Sequence, residues 1–116
     1  MSNHLEYDSE QIRKLERIRL ALRSGVVLRT GGGDVHNGIS FGFSASLLWD
    51  EAADLFVYML SEEETYAGQS KEKSYSHTLL WEDIVLGLLG GTIPNLDGDV
   101  FFYFRLKECL AQLKEE

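Results

Sequence analysis

The sequence predicts a small α+β domain, mainly helical, in which a β-hairpin (with a possible third strand) packs against three or four helices. Four segments have apolar residues at helical spacing, and one segment alternates apolar with small or polar residues. The composition agrees with a packed core, because 44% of the 116 residues are hydrophobic and thirteen are aromatic. A chain of this length lies within the size range of one domain, so residues 1–116 are expected to form a single domain.

The first helix is predicted over residues 9–24. Asp8 can cap its N-terminus, with Gln11 three residues later, and Gly25 is a typical C-terminal cap. At 100° per residue, one face of this helix is apolar: Ile12, Leu15, Ile18 and Leu22. The opposite face is basic: Arg13, Lys14 and Arg17. The pattern indicates an amphipathic surface helix with a cationic outer face.

A β-hairpin is predicted over residues 26–44. Its first strand covers residues 26–30, a glycine-rich loop follows at 31–38, and the second strand covers 39–44. In the second strand Ile39, Phe41 and Phe43 alternate with small or polar residues, which is typical of a strand with one buried face. Within the loop, Asn37-Gly38 suits a turn with positive φ angles.

Two further helices are predicted to start at similar segments. Leu47-Leu48-Trp49-Asp50-Glu51 is echoed by Leu79-Leu80-Trp81-Glu82-Asp83, and each copy follows a hydroxyl residue that can cap a helix. Helical spacing of apolar residues extends the first copy to residues 46–60 and the second to 78–89, where two glycines end the helix.

The remaining segments predict a connection and a C-terminal helix. Residues 61–76 are polar and predict a mobile connection. The aromatic run 100–104 fits either a third strand or the first turns of a helix, and a helix is predicted over residues 105–114.

The charge is unevenly distributed along the chain. Residues 34–104 carry twelve acidic and two basic side chains, whereas the first thirty residues carry six basic and four acidic ones. The net charge of −8 repels phosphate backbones and anionic lipids, so direct binding to nucleic acid or to a membrane is not expected. The partner class that this distribution favours is a basic protein.

No motif for a cofactor, a metal or catalysis is complete. Asn95, Asp97 and Asp99 resemble a calcium loop, but Leu106 stands where the bidentate glutamate belongs. The three consecutive glycines lack the remainder of a phosphate-binding motif, and the three histidines are widely separated. Cys109 is the single cysteine and is interpreted as a small buried residue. We therefore expect a non-enzymatic protein without cofactor or metal.

The N-terminus and the hydropathy of the chain predict a cytoplasmic protein. The first residues lack the positive region and apolar stretch of a secretory signal, and the longest apolar run, at residues 84–89, is too short to span a bilayer.

Charge and size together favour an acidic inhibitor that binds and blocks a basic partner. Proteins of this class include an immunity protein that neutralises a toxin nuclease and a phage-encoded inhibitor of a nucleic-acid-binding complex. In such a protein an acidic face competes with nucleic acid for a cationic groove of the partner. The predicted partner contact consists of Asp50, Glu51 and Asp54, with Trp49 as an anchor. Three further residues are predicted to steer the approach: Glu62, Glu63 and Glu64.

Two alternatives remain open at this point. In the first, the chain is an assembly subunit, and the basic face of its first helix meets the acidic face of another copy in a homo-oligomer. In the second, it is a small enzyme or ligand-binding domain built around residues 31–38, with Asp34 and His36 facing a cavity.

Overall fold

The computed structural model describes residues 9–95 and 98–113, the side chains of residues 95 and 98–100 excepted. These residues form a four-stranded antiparallel sheet in the order β1-β2-β3-β4, a two-stranded sheet β5-β6 and three helices. The prediction of a mainly helical domain is wrong, because strands outweigh helices. The elements in chain order are α1 (Ser9–Arg23), β1 (Leu28–His36), β2 (Ile39–Asp50), β3 (Leu55–Tyr66), β4 (Gln69–Leu79), α2 (Trp81–Gly90), β5 (Thr92–Asn95), β6 (Gly98–Phe101) and α3 (Leu106–Leu113).

Helix α1 confirms the prediction for the first helix. Leu15, Ile18 and Leu22 are buried, and Gly25 follows the helix with a φ of 111°, the left-handed conformation of a helix C-cap. Ile12 is 52% exposed and does not belong to the core, contrary to the predicted apolar face. The capping residue predicted at Asp8 lies outside the described residues.

The helix predicted over residues 46–60 is wrong, because these residues form the end of β2, a turn and the start of β3. The buried residues of this region recur at every second position, which is the period of a strand. They are Ala45, Leu47, Phe56, Tyr58 and Leu60. The two alanines that completed the helical spacing lie exposed in the turn.

The turn between β2 and β3 is held by Asp50. Its Oδ1 accepts hydrogen bonds from the backbone N–H groups of Ala52 (3.1 Å) and Ala53 (3.3 Å). Asp54 closes the turn with a φ of 58°, a conformation that aspartate adopts more readily than most residues. Ser46 and Thr78, predicted as helix caps, lie within strands β2 and β4.

The predicted hairpin is confirmed, but its strands are longer than expected. The loop predicted at residues 31–38 is wrong for residues 31–36, because strand β1 continues through the three glycines and ends at His36. The turn is Asn37-Gly38, with φ angles of 52° and 80°. The mobile connection predicted at residues 61–76 is also wrong: it forms the second half of β3 and most of β4, joined by a turn at Ala67-Gly68.

Helices α2 and α3 confirm the two later helix predictions within a few residues. Helix α2 starts at Trp81 and ends at Gly90, and Gly91 follows it with a φ of 90°. Residues 98–101 form strand β6, and α3 begins only at Leu106. None of the described helices is both long enough and apolar enough to cross a membrane.

The helices cover one half of one face of the four-stranded sheet. The buried strand residues Leu28, Leu47, Tyr58 and Leu79 lie in this covered half. In the other half, called here the exposed half, residues 31–36 of β1 and 69–76 of β4 are all exposed. The molecule is elongated as a result, with a longest dimension of 53 Å.

Gln112 of α3 completes part of the edge of the sheet at β1. Its Oε1 accepts the backbone N–H of Arg29 (3.2 Å), and its Nε2 donates to the carbonyl of the same residue (2.8 Å). The side-chain amide therefore makes the two hydrogen bonds that a neighbouring strand would make.

Tyr58 joins β3 to the segment after β6. Its side chain is fully buried, and its hydroxyl donates to the carbonyl of Phe101 (3.0 Å) and accepts the N–H of Tyr103 (3.2 Å). Burial raises the pKa of Tyr58 to about 12.

We expect the free energy of unfolding to fall as the pH rises from 10 to 12. Above pH 10.0 an unfolded tyrosine releases its proton, whereas Tyr58 retains it up to its folded pKa of about 12. The contribution, about 2 to 3 kcal/mol, is complete below the unfolded pKa and lost as the pH passes the folded one. Denaturant titrations at about pH 8 and about pH 11 should differ by roughly half of this contribution, about 1 to 1.5 kcal/mol.

The Tyr58→Phe variant is the control for this pH dependence. It keeps the buried ring and removes the titrating hydroxyl, so its stability should decline less steeply in the same pH range. An equally steep decline would assign the alkaline loss to other groups, such as the Cys109 thiol, whose pKa burial also raises to about 12.

Candidate functional site

Strands β2 and β4 finish at the same end of the sheet, on either side of β3. Both run antiparallel to β3, and two strand spacings place them about 9.6 Å apart. The two similar segments that carry Trp49 and Trp81 are thus brought together. Both indole rings contact Phe56, with ring centroids 4.7 Å and 5.6 Å from it.

Five carboxylates follow the two tryptophans and form what we call the acidic end. They come from the β2–β3 turn and from the first turn of α2: Asp50, Glu51, Asp54, Glu82 and Asp83. None of them forms an ion pair with another residue of the described part of the chain.

The five carboxylates divide into two that support the backbone and three that face solvent. Asp50 holds the turn, and Oδ2 of Asp83 accepts the N–H of Leu80 (3.0 Å) at the start of α2. Glu51, Asp54 and Glu82 are exposed. The three exposed groups are the ones that can contact a partner without disturbing the fold.

Trp49 is half-buried beneath a basic side chain. The guanidinium carbon of Arg23 lies 4.6 Å from the centroid of its ring, a cation–π distance. The Trp49 ring also makes an edge contact with Phe56, so it packs at the base of the turn that carries the acidic end. Trp49 thus has packing contacts within the chain, and its role as a partner anchor stays a prediction.

The three glutamates predicted to steer a partner lie far from the acidic end. Glu62 is seven residues along β3 from Leu55, which corresponds to about 23 Å at 3.3 Å per residue. Since side chains alternate along a strand, Glu62 and Glu64 lie on the helix-bearing face and Glu63 on the opposite face. The structure therefore divides the predicted acidic surface into two separate regions.

The exposed half carries five carboxylates against two lysines, Lys71 and Lys73, so its formal charge is −3. Glu62 and Glu64 pair in register with Lys73 and Lys71, whereas Glu63 pairs with Glu72. This half also carries exposed aromatic side chains: Phe41, Tyr66 and Tyr75. The acidic end has five carboxylates and no basic residue in its two segments, a formal charge of −5, and therefore has the stronger negative field for a basic partner.

Comparisons with protein-family models, with curated proteins and with solved structures found no match for this chain. The assignment of a function therefore rests on the residues themselves.

Glu62 also accepts a hydrogen bond from a neighbouring tyrosine and raises the pKa of that residue. The hydroxyl of Tyr103 donates to its Oε2 (3.3 Å), and the ring of Tyr103 stacks on Phe43 at 3.9 Å. Burial, and then the negative charge of Glu62, raise the pKa of Tyr103. Glu62 thus has an internal partner and is less available to steer an approaching protein.

Asp34 and His36, the residues considered for chemistry, lie two positions apart on one face of β1. Asp34 and His36 lie exposed on the edge strand β1, and Oδ1 of Asp34 accepts the N–H of the next residue (2.8 Å). Within residues 9–95 and 98–113, no group of three or more metal-ligating side chains occurs. Cys109 is fully buried, as the sequence predicted.

Glu82 and Asp83 are the members of the acidic end that the sequence analysis did not include in the site. The signal was present in the echo of Leu47–Glu51 by Leu79–Asp83. That echo was interpreted as two helix starts, and only the topology places both copies at the same end of the sheet.

Proposed function

We propose that this protein is a non-enzymatic, cytoplasmic inhibitor that binds a basic protein partner through its acidic end. The observation that carries the proposal is that carboxylates from two separate segments lie at the end of the sheet where Trp49 and Trp81 contact Phe56. A partner that binds nucleic acid through a cationic groove, such as a toxin nuclease, presents the complementary charge. Occupation of that groove by the acidic end would exclude the nucleic acid.

The geometry suits rapid and oriented association. The turn and the first turn of α2 fix the backbone positions from which Glu51, Asp54 and Glu82 project, so no backbone segment has to be ordered on binding. Electrostatic complementarity of this kind raises the association rate and sets the register of the complex. Leu80, 56% exposed beside Asp83, adds an apolar contact at the same place.

The variant Glu51→Lys with Asp54→Asn is expected to lose capture of the basic partner. Both side chains are exposed, neither accepts a hydrogen bond that holds the turn, and asparagine tolerates the positive φ of position 54. Asp50 is left intact because its carboxylate holds the turn. We expect a loss of about tenfold or more in affinity, measured with the protein captured by the wild type from native lysate.

The matched control is Glu63→Lys with Glu72→Gln in the exposed half. It changes the net charge by the same three units but leaves the acidic end untouched. Retained capture by the control, together with release of nucleic acid from the captured partner by the wild-type protein, supports the proposal. Equal weakening of capture by both variants would mean that binding depends on net charge and not on the acidic end. Failure to capture any basic protein would refute the proposal.

A further inference from the structure

Helices α1 and α3 pack side by side and leave a groove between them. The groove has a volume of about 570 Å³. Its lining combines three cations with three apolar residues: Lys14, Arg17, Lys107, Leu106, Leu110 and Ala111. Lys14 has an exposed ion pair with Glu10 (3.6 Å), which offsets one of the three charges. The groove is therefore locally positive and apolar on a chain whose net charge is −8.

Helix α2 presents the complementary chemistry on its outer side. Leu86 and Leu89 are 45% and 38% exposed, although Ile84 and Leu88 on the inner side are buried. At 100° per residue, the exposed Glu82 lies on the same stripe as the two leucines, within an arc of about 60°. The stripe thus has two leucines with a carboxylate at its N-terminal end.

We propose that α2 of a second copy of this chain docks in the groove between α1 and α3. Leu86 and Leu89 of one copy then cover Leu106 and Leu110 of the other. Glu82 meets the cationic rim at Arg17. The cations and apolar residues of the groove complement the carboxylate and the leucines of α2. This contact between two copies is separate from the binding of a foreign partner.

The dimensions of the helices agree with this contact. Helix α2 has ten residues and α3 has eight, which correspond to about 15 Å and about 12 Å. A helix laid along two others at interaxial distances of about 8–10 Å covers such a groove. Because the two surfaces differ, the contact is heterologous, and its products are rings or open chains of copies.

The first test is sedimentation of the full chain over a wide range of concentration. We expect the mass to rise with concentration at low salt and to rise less at about 1 M salt, where the Debye length is about 3 Å. Replacing the two leucines together, Leu86→Gln with Leu89→Gln, should raise the dissociation constant about tenfold or more. Leu20→Gln is the control, since Leu20 is 60% exposed on α1 but does not line the groove.

The second test exchanges the charges across the contact. Arg17→Glu and Glu82→Arg should each weaken self-association, and the chain that carries both substitutions should recover it. Arg19→Glu makes the same charge change on the far side of α1 and should have little effect. A general effect of net charge predicts opposite changes for the two single variants, since their net charges become −10 and −6 from −8. A loss of folding predicts no recovery. Weakening by both single variants together with recovery in the double variant therefore identifies the contact.

Three results would overturn the proposal. They are a monomer at every concentration at low salt, self-association that survives the leucine substitutions, and a double charge variant that fails to recover. If the chain is a monomer, the groove is not occupied by a second copy, and an acidic helix of another protein becomes the candidate occupant. Glu82 belongs to both contacts, but Glu51 and Asp54 do not take part in this one. The variant Glu51→Lys with Asp54→Asn should therefore keep self-association, which separates failure here from failure of the proposed inhibitor function.

Discussion

Replacing Phe102 with alanine is expected to lower the free energy of unfolding by about 3 to 5 kcal/mol. Its ring is fully buried and lies 4.8 Å from Tyr58 and 5.7 Å from Phe104, centroid to centroid. The ring also packs directly on Gly87 of α2. Truncation removes the contacts that join three parts of the core and leaves a cavity that rigid neighbours cannot fill.

The adjacent residue provides the control for this substitution. Phe101 is 47% exposed, and its ring contacts Tyr103 and the guanidinium of Arg105 at the surface. Phe101→Ala should therefore cost less than about 1 kcal/mol in denaturant unfolding. Similar losses for both variants would contradict the assignment of Phe102 to the core.

Replacing Gly87 with alanine is expected to destabilise the protein by about 1 to 3 kcal/mol, although alanine favours helices. A Cβ at this position would lie 2.5 Å from Cδ2 of Phe102, well inside contact distance. Both residues are buried, so the ring or the helix has to move. The gain in helix propensity, about 0.5 to 1 kcal/mol, is too small to offset this overlap.

Gly90→Ala is the matched control on the same helix. No heavy atom lies within 4 Å of a Cβ built there, so the substitution should be neutral or stabilising. Combining Gly87→Ala with Phe102→Leu should cost less than the sum of the two single losses, because the smaller side chain gives way to the methyl group. Additive losses in thermal or denaturant unfolding would mean that the two residues do not share this contact.

The helices could be predicted from the sequence because each has a local signal. Gly25 and Gly91 mark the ends of α1 and α2, and both adopt the positive φ angles typical of a C-cap. The failure at residues 46–60 has an equally local cause. Leu48, Ala52, Leu55 and Met59 match a helical face, but Leu47, Phe56 and Tyr58 match strands on either side of a turn, and hydrophobic spacing alone does not choose between them.

The polar strands could not be predicted because nothing buries them. Residues 61–76 read as a connection, since their side chains are charged or hydroxylated on both faces. Their stability comes from pairing with β2 and from cross-strand pairs such as Glu64 with Lys71, which are relations between distant residues.

The candidate site was predicted in part. Asp50, Glu51 and Asp54 were assigned to one surface and do lie together, but on a turn rather than on a helix. The sequence did not show that a second acidic group lies elsewhere: Glu62, Glu63 and Glu64. Their distance from the turn follows only from β3, which extends for 12 residues after it.

The amide of Gln112 joins the last described helix to the first strand across a separation of 83 residues. During synthesis β1 leaves the ribosome before α3, so its outer edge at Arg29 obtains its partner only when α3 has been made. Contacts of such long range raise the contact order and slow folding, because most of the chain has to be ordered before they form. The nascent sheet therefore has an unfinished edge at Arg29 until these 83 residues have been made, and α3 closes it.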